Sequence, residues 1–153
     1  MDQIWRRQFL VASETEASFG APSVPHDGKH AIEVDAECLY GLANAELGEL
    51  QCLLMGKQEY DDKVLHGYKE VYEWDNMHGP WLIRLPGEFR EVLASCEDTA
   101  IAELAKKWRE KTYAFRENNA PEEWVEETLR QLVGIARLAT EERKNLYWQP
   151  GSC

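Results

Sequence analysis

Apolar positions recur at helical spacing along the second half of the chain. Ile101, Leu104, Ala105, Trp108, Thr112 and Phe115 form one stripe on a 3.6-residue period, with Lys106, Lys107, Arg109 and Glu110 largely on the other side. Asp98 and Thr99 offer an N-cap before this stripe, and Asn118-Asn119 punctuates its end. A longer stripe follows from Trp124 and Val125 through Thr128, Leu129, Leu132, Val133 and Ala136 to Ala139. Asn119 and Pro121 suit its start, and Glu122 and Glu123 place negative charge at the positive end of the helix dipole. A shorter helix is predicted after Pro86, on Phe89, Val92 and Leu93, ending near Ser95-Cys96.

The first half is less regular. Asp35 is a candidate cap for a helix running to about Met55, with Leu39, Leu42, Leu47, Leu50, Leu53 and Leu54 on a wide apolar face. Gly41 and Gly48 weaken that helix and mark places where another helix can approach closely. Val64, Leu65, Tyr68, Val71 and Tyr72 again sit at helical spacing and predict a helix over 60–74, broken by the Gly79-Pro80 pair. Trp81–Leu85 and Leu146–Trp148 read as short extended segments, and Phe9-Leu10-Val11 as a strand or a helical turn. Residues 12–31 are poor in large apolar groups and rich in Ser, Gly and Pro, which predicts an irregular loop or arm. The fold expected from this pattern is mainly α: one domain over 1–153, an all-α bundle of about five helices with one or two short extended segments.

A length of 153 residues suffices for one domain with a substantial core. No apolar run approaches the roughly 20 residues that span a membrane, and the N-terminus lacks the pattern of a secretory signal. Cys38, Cys52, Cys96 and Cys153 form no C-x-x-C pair and are expected to stay reduced in a cytoplasmic protein. The net charge of −11 is uneven: residues 1–75 hold 15 acids and 6 bases, residues 76–153 hold 13 acids and 11 bases. An acidic surface disfavours nucleic acid and anionic membranes, both of which call for basic patches. It suits a basic protein partner drawn in by long-range attraction.

Candidate chemistry is sparse. His26 and His30 lie four apart, but Pro25 and Gly28 argue against the helix that would aim both at a metal. Two acidic couples three residues apart stand out: Glu46 with Glu49, and Glu70 with Glu73. On antiparallel helices these four carboxylates would converge on Mg²⁺. The pattern resembles the ExxE…ExxD motif of all-α nucleoside triphosphate pyrophosphohydrolases of the MazG and dUTPase kind, with Glu73 where that family has Asp. That resemblance implies a Mg-dependent hydrolase with Glu46, Glu49, Glu70 and Glu73 as metal ligands.

The reading preferred over it is non-enzymatic and needs no cofactor. Trp74 and Trp81 flank a turn beside Glu70, Glu73 and Asp75, a mixture of aromatics and acids that suits contact with a basic partner. The run from Gly79 to Pro86, with Leu104-Ala105, Trp108 and Lys144–Trp148, is similar to small acidic bacterial proteins, among them immunity proteins that neutralise a toxin by covering it. The resemblance implies a binding protein acting on a basic toxin and supplies no catalytic residue. Aromatic surface of this kind also serves a homodimer seam.

Overall fold

In the computed structural model, the described residues are 8–18, 28–34, 40–73 and 81–150, and the side chains of Tyr72, Glu73 and Trp81 stand outside the description. The chain builds a five-stranded antiparallel sheet with a helical layer on one face. The strands are β1 (Gln8–Ala12), β2 (Ala31–Glu33), β3 (Lys69–Glu73), β4 (Trp81–Arg84) and β5 (Asn145–Gln149), in the spatial order β2-β1-β5-β4-β3. The α-helices are α1 (Glu14–Ser18), α2 (Asn44–Leu54), α3 (Gly87–Ala94), α4 (Ile101–Lys111), α5 (Tyr113–Glu117) and α6 (Glu122–Glu142), with 3-10 turns at Asp62–Gly67 and Asp98–Ala100. Helix α6 lies against β1 and β5 and carries α3 and α4 on its flanks.

The mainly α, all-α expectation is therefore corrected to a mixed α/β fold. The largest revision falls on the segment expected as a helix over 60–74. Its apolar residues divide between the 3-10 turn, capped by Asp61 accepting from the Lys63 amide, and strand β3. Val64, Leu65 and Tyr68 are half-buried while Lys63, His66 and Gly67 are exposed, so a 3-10 turn running into a strand keeps an exposure pattern that reads as helical spacing. The long helix expected from Asp98 is also broken. Thr112, buried and extended at φ −98° and ψ 107°, separates α4 from α5. That break accompanies an edge contact of Phe115 with both Trp108 and Trp124, at ring centroids 5.0 and 5.8 Å apart.

Strand β1 is buried along its whole length, which is why Phe9-Leu10-Val11 shows no alternation. Phe9 and Val11 face the helical layer beside Leu146 and Trp148, and Phe9 stacks on Trp148 at 4.5 Å. Leu10 and Ala12 face the other way with Leu82 and Tyr147, and Ala17 of α1 packs there. Gln8 and Gln149, opposite each other in register, are buried and bonded at 3.3 Å. The central strand β5 was legible as extended because Leu146-Tyr147-Trp148 supplies large apolar groups to both faces.

The α6 stripe holds as read. Val125, Thr128, Leu129, Leu132, Val133, Ala136 and Ala139 are buried, and Ile135 joins them. Both glycines singled out in the first half mark close approaches. A Cβ on Gly41 would lie 2.9 Å from Ala114 Cβ of α5, and one on Gly48 would lie 3.0 Å from Leu65 Cδ2. Cys52 and Cys96 are buried free thiols; Cys38 and Cys153 lie outside the described residues, as do residues 19–27 of the expected loop. No helix among the described residues is long and apolar enough to cross a membrane.

Candidate functional site

The corner nominated for partner contact is the β3–β4 hairpin, at one edge of the sheet. Glu70 is exposed and pairs with Ile83, while Glu73 pairs with Trp81, and the register shifts between Glu70 and Tyr72. A bulge of this kind twists an edge strand away from further pairing. Trp74 and Asp75 fall outside the described residues.

The two acidic couples do not share one architecture. Glu46 and Glu49 do sit three apart on helix α2, but Glu70 and Glu73 lie on a strand, so the four-carboxylate arrangement on paired helices is not what the fold builds. Among the described residues no group of three His, Cys, Asp or Glu side chains is placed to hold a metal ion. The α2 couple has a distinct environment of its own. Burial pushes the carboxyl of Glu46 above the usual range against two backbone hydrogen bonds that lower it, and burial also pushes up Glu49, which the Lys111 ammonium partly offsets. The Tyr60 hydroxyl is pushed up by burial and by the nearby Glu49. The indole of Trp108 donates to the Glu46 carbonyl at 2.9 Å, so α2 is fixed to α4 at this point.

Four of the bases of the second half donate to main-chain carbonyls. Arg90 donates to the Lys144 carbonyl at 2.7 Å, Arg109 to the Ala120 carbonyl at 2.6 Å and Lys111 to the Gln58 carbonyl at 3.1 Å. Arg137 reaches the carbonyl of Ala94, the last residue of α3, and that of Cys96 after it, and pairs with Asp98 at 2.9 Å. Cations suit these positions because helix ends and the turns after them leave carbonyls unpaired. Local periodicity gave no hint of this arrangement, since every one of these contacts but that of Arg109 joins residues more than 30 positions apart.

A second cluster was not foreseen. Nε2 of His30 lies 2.9 Å from both carboxylate oxygens of Glu142, at the last position of α6. Lys144 lies 3.7 Å from Glu142 and 3.3 Å from Glu16 of α1. The Ser13 amide, bonded to Glu16 at 2.8 Å, lowers the carboxyl of Glu16 below its usual range, and Lys144 adds to the effect. His30 had drawn notice only as half of a pair with His26, which lies outside the described residues. Beside this cluster runs a groove of about 420 Å³ between residues 28–32 and the outer side of α6, lined by Ile32, Ile135 and Leu138 and edged by Lys29 and Glu141.

Comparison with protein-family models, with curated proteins and with solved structures finds no match.

Proposed function

We propose that this chain is a non-enzymatic binding protein whose acidic surface covers a basic protein partner, in the manner of an immunity protein that neutralises a toxin. The observation that carries this reading is the excess of acids over bases along residues 40–73, while several bases elsewhere are engaged by the fold itself. Arg90, Arg109, Lys111 and Arg137 are engaged by main-chain carbonyls of their own fold. Over residues 40–73, Glu46, Glu49, Glu59, Asp61, Asp62, Glu70 and Glu73 outnumber Lys57, Lys63 and Lys69, and Lys111 of α4 reaches this segment at the Gln58 carbonyl and beside Glu49. A field of one sign accelerates encounter with an oppositely charged surface and rejects partners of like charge. The β3 edge, with Glu70 exposed beside Glu73 and followed by Trp74 and Asp75, is the contact surface in this reading.

The test is kinetic. A basic protein captured from the native host is to be bound to the purified chain at 50 and 500 mM NaCl. The association rate is expected to fall at least about tenfold between the two, with dissociation far less affected. Replacing Glu70, Glu73 and Asp75 together by their amides is expected to remove most of that salt dependence. An association rate indifferent to both salt and the three substitutions would dismiss the proposal.

A further inference from the structure

The shortest strand of the sheet, β2, stands at its edge and is joined to β1 through three register pairs, Gln8 with Glu33, Phe9 with Ile32 and Leu10 with Ala31. None of its three residues is fully buried. Two contacts of the segment entering it run through His30. The His30 carbonyl accepts from the Val11 amide at 2.8 Å, and the His30 imidazole meets both oxygens of Glu142 at 2.9 Å. The side chain contact crosses 112 positions of sequence, from the approach to β2 to the end of α6.

The charges around this contact are unbalanced without the imidazole. Glu142 of α6 and Glu16 of α1 share one ammonium, that of Lys144, which lies 3.7 Å from the first and 3.3 Å from the second. One negative charge is left over within the cluster, and a protonated His30 would neutralise it. Among the described residues, Lys29 and Glu33 on the same segment, Glu141 on α6 and Arg143 next to Glu142 are further charged residues of these segments. His30 is half-buried and Glu142 lies at the surface, with side-chain exposures of 15% and 31%, so solvent screens their interaction in part.

We propose that the contact between His30 and Glu142 is a pH-dependent clasp, which holds the approach to β2 against the end of α6 when the imidazole is charged and loosens when it is neutral. A histidine changes charge between about pH 5 and 8. The neutral ring can still donate from Nε2, so the clasp weakens without vanishing; a charge-assisted bond is roughly twice as strong as a neutral one. The sign follows from the partner: stabilisation is complete at mildly acidic pH and fades as the pH rises through the titration of His30. Gly28, Lys29 and Ile32 form one wall of the groove along α6, so the same event changes the wall facing Ile135 and Leu138.

Amide hydrogen exchange of residues 30–34 in the intact protein, corrected for the intrinsic effect of pH, tests it, with the His30 ring followed by NMR over the same range. Protection is expected to be roughly 3- to 10-fold lower at pH 8.0 than at pH 5.5, and the change is expected to follow the titration of His30. In His30→Gln, whose amide can still donate to Glu142, and in Glu142→Gln, which removes the negative charge, protection is expected to become flat with pH. A wild-type protection that does not change with pH overturns the clasp. So does a dependence that survives in either variant.

Discussion

Among the described residues other than glycine, two hold left-handed backbone conformations that most side chains avoid. Asn119 (φ 53°) and Arg143 (φ 57°) each follow a helix. In both, the next amide reaches back to close the helix end: Ala120 to the Phe115 carbonyl at 2.9 Å, and Lys144 to the Ala139 carbonyl at 2.8 Å. These are Schellman closures, where glycine is the common occupant. Asn tolerates the conformation, but Arg143 carries its steric cost of about 1–2 kcal/mol, offset in a glycine variant by roughly 0.5–1 kcal/mol of added chain entropy. Arg143→Gly is therefore expected to leave stability unchanged or raise it by up to about 1 kcal/mol, and Arg143→Val to lower it, as read from urea unfolding midpoints. Glu46 yields a prediction with a pH signature. Burial raises its carboxyl pKa in the folded state, so ionisation costs stability. The cost is absent below the unfolded glutamate range near pH 4.3 and complete above the folded value. Glu46→Gln should raise the urea midpoint at pH 7 and lose that advantage by pH 4; an equal effect at both would show that its charge is not the cause.

At the scale of elements, glycines separate positions that need them from positions that do not. Gly134 lies on the exposed side of α6, and a Cβ there would meet nothing within 4 Å. Gly134→Ala is expected to stabilise by about 1 kcal/mol, the difference in helix propensity. Gly41 is the opposite case, with φ +82° and Ala114 Cβ only 2.9 Å from the position a Cβ would take. Gly41→Ala is expected to cost about 2 kcal/mol or more, from backbone conformation and overpacking together. Thermal unfolding of the two variants against wild type checks both. The same scale shows what the chain made legible. Helix α6 could be read because its apolar stripe runs unbroken from Trp124 to Ala139 within a 21-residue helix that starts after a proline. Strand β3 could not, because the 3-10 turn before it continued a helical spacing across the boundary. Strand β2, with three residues, offers no periodicity at all. Of the candidate site, the acids of the β3–β4 hairpin were legible as composition. The His30 cluster was not, because its members come from three separate segments that only the fold brings together.

For the whole molecule the decisive feature is that its centre is closed by its last strand. Strand β5 pairs with β1 on one side, from Gln8 opposite Gln149 to Ala12 opposite Asn145, and with β4 on the other. Without it the sheet divides into two separate antiparallel pairs, β2 with β1 and β4 with β3. Helix α6 would then lose Leu146 and Trp148 from the core beneath it. Contacts that join residues so far apart require much of the loop-closure entropy to be overcome before they contribute, which slows folding. A chain ending at Lys144 is therefore expected to lack cooperative unfolding and dispersed amide resonances, while retaining some of the helical signal of α4 and α6. The milder change Trp148→Ala, which removes a fully buried ring stacked on Phe9, is expected to cost about 3–5 kcal/mol. A truncated chain that still melts sharply would mean that the helical layer folds alone, and that the sheet is an attachment to it instead of its foundation.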